Sequence, residues 1–159
     1  MTIVVTQEKL PKVVKTIHSK YKTIVLAGGV FDILHPGHIH FLEQAKKHGD
    51  FLLIIVESDE AVKKTKGETR PIFKQEDRIY ALSQLKNIDG IIKLSGILSD
   101  SDYYRLTSLV KPAIIAATKD DPISIKKKEQ AKQAGAQYVE VADRVGNYSS
   151  SKILKELNL

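Results

Sequence analysis

Five short apolar runs, separated by amphipathic stretches, constrain this chain more than any other feature of its sequence. They are Thr23–Ala27, Phe51–Val56, Gly90–Leu94, Ala113–Ala117 and Gln137–Val141. As a set they are short, continuous and rich in Val and Ile, the pattern of strands covered on both faces. The stretches between them carry helical spacing. Ile39, Leu42 and Ala45 share a face ahead of a stop at Gly49, and Gln75–Lys86 sets Ile79, Leu82 and Leu85 on one stripe. Tyr103–Val110 follows possible caps at Ser99–Asp102 and closes before Pro112, and Pro122–Ala134 is stopped by Gly135. A first helix is expected over about 8–19 and a last one over about 149–157, with Ile153, Leu154 and Leu157 on one side. Strand–helix alternation of this kind implies right-handed βαβ units and a parallel sheet. The expectation is an α/β fold: a single Rossmann-like domain over residues 1–159, with a five-stranded parallel sheet flanked by helices. The longest irregular stretch, Lys64–Lys74 (KTKGETRPIFK), reads as a working loop.

Composition narrows the function. There is no cysteine, which excludes disulfides, zinc–thiolate sites and thiol catalysis and fits a reducing cytoplasm. No apolar run approaches the ~20 residues of a membrane span. The N-terminal MTIVVTQEKLPK lacks the basic start of a signal peptide, so neither a membrane nor an export role is expected. The net charge of +6 suits anionic partners. Lys63, Lys64 and Lys66 form one basic cluster and Lys126–Lys128 another, neither interleaved with aromatics. That argues against a nucleic-acid partner, and Lys126–Lys128 read as a solvated helix face.

The stretch GGVFDILHPGH, from Gly28 to His38, lies where the first apolar run turns into a helix. Ligands of open α/β sheets bind beyond the carboxyl ends of the strands. Gly28 and Gly29 admit a ligand close to the backbone, and Pro36 suits a first helical turn. The free amides of that turn form an anion site flanked by His35 and His38, with Gly37 leaving room between them. Two imidazoles at a helix start suit a phosphate chain whose charge rises during reaction. A metal pair or incidental surface histidines would show the same spacing, although no cysteine or nearby third ligand supports zinc. Neither GxGxxG nor GxxxxGK[ST] is present.

GGVFDILHPGHIHFLEQAKKHGD resembles the signature region of the cytidylyltransferase-like nucleotidyltransferases, whose hallmark is H-x-G-H, here His35-Pro36-Gly37-His38. The likeness continues through ESDEAVKKTKGETRPIFKQEDRIYALSQLKNID and DRVGNYSSSKIL, and spans roughly residues 6–157. It lies nearest to the heptose-1-phosphate adenylyltransferase domain of lipopolysaccharide-core synthesis. The resemblance implies that His35 and His38 hold a triphosphate and stabilise transfer at its α-phosphate, with Lys66 and Arg144 also catalytic. It implies a nucleotide pocket drawn from Gly28, Gly29, Val30, Phe31, Asp32, Gly37, Arg78, Asp120, Ser149, Ser150 and Ser151. Phe31 also reads as core, and Asp32 as a polar group shaping the loop. Lys63 and Arg70 are implied for the phosphorylated acceptor. Mg²⁺ is expected to travel with the NTP, with no protein side chain ligating a metal directly. Homodimers are common in the family.

One segment departs from the pattern. Where the family usually has Gly-Gly-Asp or Gly-Asp-Asp, this chain has AATKDDP, Ala116–Pro122. The leading substrates are ATP and heptose 1-phosphate. Glycerol-3-phosphate with CTP, and FMN with ATP as in an FAD synthetase, share the same hallmark. A nucleotide-binding protein without turnover is the alternative of another class.

Overall fold

The computed structural model describes residues 1–143, 146 and 148–158. Its centre is β3 (Phe51–Val56), FLLIIV, buried at every position. A strand covered on both faces needs neighbours on both edges, and β3 has β2 (Ile24–Gly29) on one side and β4 (Gly90–Lys93) on the other. β5 (Ile114–Thr118) and β6 (Gln137–Ala142) extend the sheet beyond β2.

The sheet has six parallel strands rather than the five expected, because a further strand, β1 (Ile3–Thr6), pairs with β4 at the edge. It was illegible because it is four residues long and buries only Val5. The order is β1-β4-β3-β2-β5-β6. The chain runs from β2 outward to β3 and β4 on one side, then returns to β5 and β6 on the other. That reversal opens a crevice at the carboxyl ends of β2 and β5, where such sheets bind ligands.

Helices cover both faces. α1 (Leu10–Lys20) and α5 (Asp100–Val110) bury Leu10, Val14, Ile17, Leu106 and Val110 against one. α2 (Pro36–Lys46) and α4 (Gln75–Ser83) bury Phe41, Leu42, Ala45, Ile79 and Leu82 against the other. Gln75 ties α4 to the sheet, donating from Nε2 to the Val56 and Leu94 carbonyls at 3.1 and 2.7 Å. α6 (Ser124–Ala134) starts two residues later than expected, and α7 (Ser150–Glu156) closes the described chain.

Part of the supposed working loop is helical. α3 (Asp59–Lys66) is capped by Ser58, whose Oγ accepts from Ala61 N at 3.1 Å, and it ends at Gly67 with φ of 100°. Only residues 67–74 are irregular. Gly49 follows α2 for a reason of space: a Cβ there would lie 2.7 Å from the Thr23 carbonyl oxygen.

Candidate active site

β2 ends in Gly28-Gly29, and the chain turns at Phe31, whose φ is 51°. A bulky residue in that region costs energy and persists only where its surroundings hold it. Here burial does so: Phe31 is 4% exposed, and its ring lies 5.3 Å from that of His38. The turn delivers His35 as the extended N-cap of α2, with no side-chain capping bond, and Pro36 at its start. Both histidines thereby line the cleft, His38 with its ring also bonded to the Ile33 backbone. They stack with centroids 3.8 Å apart, and Tyr148 stacks on the outer side of His35 at 6.0 Å. Gly37 keeps this space open, since a Cβ would meet the His35 ring in a tight contact at 3.1 Å. His38 and Ile39 give their N–H groups to the His35 carbonyl, so the amides expected to be free in this turn narrow to that of Gly37 among the described residues.

The cleft in front of these rings has a volume of about 330 Å³. Its floor is the β2 end with Phe31 and Asp32, and its walls carry Lys66, Arg70, Thr118, Asp121, Lys127, Tyr148 and Ser149–Ser151. Asp32 is buried, yet its carboxyl lies below the ordinary value. Burial alone would raise it, but the N–H groups of Ile72 and Phe73 and the Arg70 guanidinium together outweigh that effect. Burial pushes His35 down. Burial, then the adjacent His35 and the charge of Lys66, push His38 down to about 4. Both shifts favour the uncharged imidazoles. Their Nδ1 atoms are buried with no partner among the described residues.

The ligand-free protein should therefore lose stability in mild acid. An exposed histidine titrates near ~6.5, so between that pH and about 4 the unfolded chain binds a proton that folded His38 refuses. Stability falls as pH falls through this window. Between pH 7 and pH 5, Tm measured in phosphate-free buffer should drop further for the wild type than for His38→Gln. Equal slopes would count against a neutral, buried His38.

A cytidylyltransferase-like family model matches residues 26–156 of this chain. The chain belongs to the cytidylyltransferase-like family. Relatives include the bifunctional protein HldE of a Nitratiruptor species, 36% identical over 150 residues, covering 94% of this chain and 31% of that protein. HldE of Aliarcobacter butzleri is 40% identical over 110 residues, 69% of this chain and 22% of that one. The chain thus spans less than a third of the length of these curated relatives. Among solved structures, the lipopolysaccharide core biosynthesis protein from Thermoplasma volcanium is 31% identical with a TM-score of 0.61, over 80% of this chain and 98% of that one. A pantoate-beta-alanine ligase from Francisella tularensis shares the fold alone: 13% identity and a TM-score of 0.71, over 100% of this chain and 74% of that one.

In this cytidylyltransferase-like chain the cleft gathers His35, His38, Lys66, Arg70, Gly28–Asp32, Gly37 and Ser149–Ser151 from segments far apart in sequence. The serines are partly committed: Ser149 Oγ accepts from Lys152 N at 3.0 Å, and Ser151 Oγ accepts from Arg70 Nη1 at 3.3 Å. Three expected residues are not brought to the cleft. Lys63 is exposed on α3. Asp120 is exposed in a left-handed turn, and its neighbour Asp121 faces the cleft instead. Arg78 is fully buried on α4 and donates to the carbonyls of Phe73, Val30 and Glu57 and to Asp59. Arg144 lies outside the described residues.

The departure at Ala116–Pro122 is where sequence reasoning missed most. Thr118 and Asp121 line the cleft, and Lys127, from the supposed solvated face, pairs with Asp121 at 2.6 Å with both side chains largely buried. The spacing of Asp121 and Lys127 across the start of α6 was the available signal. Beside the cleft, Tyr103 Oη donates to both oxygens of Glu57 at 2.7 Å, and burial pushes the Glu57 carboxyl up.

Proposed function

We propose that the chain transfers a nucleoside monophosphate from an NTP to a phosphorylated small molecule and releases pyrophosphate. The observation that carries this reading is the stacked pair of neutral imidazoles in one cleft with Arg70, Lys66 and the α7 serines, at the carboxyl ends of β2 and β5. An acceptor phosphate oxygen attacks the α-phosphorus, and the bond to the β-phosphate oxygen breaks in line. Negative charge grows on the oxygens around phosphorus. Donors already fixed in place stabilise that charge without reorganising. His35 and His38 supply neutral N–H donors, Arg70 and Lys66 positive charge, and Gly37 the space for the phosphate to approach.

Mg²⁺ takes oxygen ligands and in such reactions is carried largely by substrate phosphates. Among the described residues no group of three His, Asp or Glu side chains could hold an ion, and Asp121 is committed to Lys127. Carried on the triphosphate, the ion would neutralise charge on the leaving pyrophosphate.

ATP with heptose 1-phosphate is the leading pair, supported by the HldE relatives and by the likeness to a lipopolysaccharide core biosynthesis protein. The AATKDDP segment favours a second reading, nucleotide binding without turnover, because Thr118 and Lys119 stand where the family has glycines and the Asp121–Lys127 pair lines the cleft beside them. Pyrophosphate release measured with ATP and CTP against heptose 1-phosphate, glycerol 3-phosphate and FMN separates them. We expect release with ATP and heptose 1-phosphate. Nucleotide binding without release from any pair would overturn the transfer reading.

A further inference from the structure

Arg70 is buried to 6% side-chain exposure and its partner Asp32 to 0%. Asp32 Oδ2 accepts from Arg70 Nε at 2.7 Å and from Ile72 N at 3.0 Å, while Oδ1 accepts from Phe73 N at 2.9 Å. The carboxylate thus fixes both the guanidinium and the loop that carries it. Arg70 Nη1 donates to Ser151 Oγ at the start of α7. The remaining nitrogen, Nη2, is buried with no partner among the described residues, although Arg70 lines the cleft. A buried guanidinium N–H left unpaired is costly, and a phosphate oxyanion is the ligand that best repays it.

We propose that Asp32 is a positioning residue, which holds Arg70 so that Nη2 meets a phosphate oxygen in the cleft while Nη1 ties that phosphate site to α7. The inference rests on reading the cleft as a phosphate site, and it assigns Asp32 to the loop and its arginine rather than to the nucleotide. Its lowered titration agrees, since an ionised carboxylate is needed for all three bonds. Arg70 is buried and held by Asp32 and Ser151 before any ligand arrives, so little ordering remains to be done on binding.

The test is calorimetric titration with inorganic pyrophosphate and with inorganic phosphate. Asp32→Asn keeps the size of the side chain and removes its charge; Arg70→Lys keeps the charge and removes the fork. Each is expected to weaken binding of at least one probe about tenfold or more, the scale of a lost charged hydrogen bond. The double variant should be no weaker than Arg70→Lys alone, because Asp32 acts through Arg70. Loss confined to pyrophosphate places Nη2 on the nucleotide's phosphates, and loss confined to phosphate places it on the acceptor. Where Asp32→Asn does not fold, Asp32→Glu, which displaces the charge by one methylene, should show the same loss. Wild-type protein that binds neither probe, single variants within twofold of wild type, or additive losses in the double variant would overturn the proposal. Asp32-dependent pyrophosphate binding in a protein that releases none from any NTP would end the transfer reading and leave this inference standing.

Discussion

His38→Ala is expected to lower turnover by about two to three orders of magnitude, the scale of one lost preorganised donor, with the fold intact. The ring sits on α2 facing the cleft, stacked on His35 and tilted against Phe31, and its buried Nδ1 has no partner among the described residues. Removing it gives up the ring's bond to the Ile33 backbone, a small loss beside that of the ring's place in the cleft. On the proposed mechanism the donor to the developing charge on the α-phosphate is lost, and water entering the space is free to reorganise. The ground-state triphosphate keeps Arg70, Lys66 and His35, so KM for the NTP should change far less than kcat. Pyrophosphate release together with a far-ultraviolet melt measures both halves. Wild-type turnover in a folded His38→Ala protein would sink the mechanism.

Arg78→Met should act in the opposite manner, costing about 3–5 kcal/mol of stability, the range for breaking a buried charged network. Its guanidinium gathers the carbonyls of Val30, Glu57 and Phe73, which lie after β2, after β3 and before α4, and also pairs with Asp59 on α3. Methionine fills much of the volume but leaves those acceptors unsatisfied. A urea midpoint shifted far below that of the wild type would bear this out. A protein of unchanged stability with raised KM would instead return Arg78 to the ligand.

The two arginines show where sequence reading reaches its limit. Arg70 and Arg78 sit eight residues apart, and both match basic positions of the family pattern. One faces the cleft and the other is spent under it. The difference lies in partners remote in sequence: Asp32 and Ser151 for Arg70, Val30 and Glu57 for Arg78. Lys127 repeats the lesson, since its neighbours on α6 face solvent while it turns inward to Asp121. β1 was missed for a related reason. A four-residue edge strand has too little periodicity to announce itself, and its place depends on pairing with β4, which starts 87 residues after Ile3.

The sequence by itself determined the α/β class, the central strands and the placing of His35 and His38 at a strand-to-helix turn. Those follow from local chemistry: runs of β-branched residues, helical spacing, and glycine and proline at the turn. Only the tertiary structure decided the sixth strand and which of the many cations serve the cleft. A long charged side chain can reach in several directions from one backbone position. The carboxylates and carbonyls that choose among them arrive from distant segments, once the sheet has assembled.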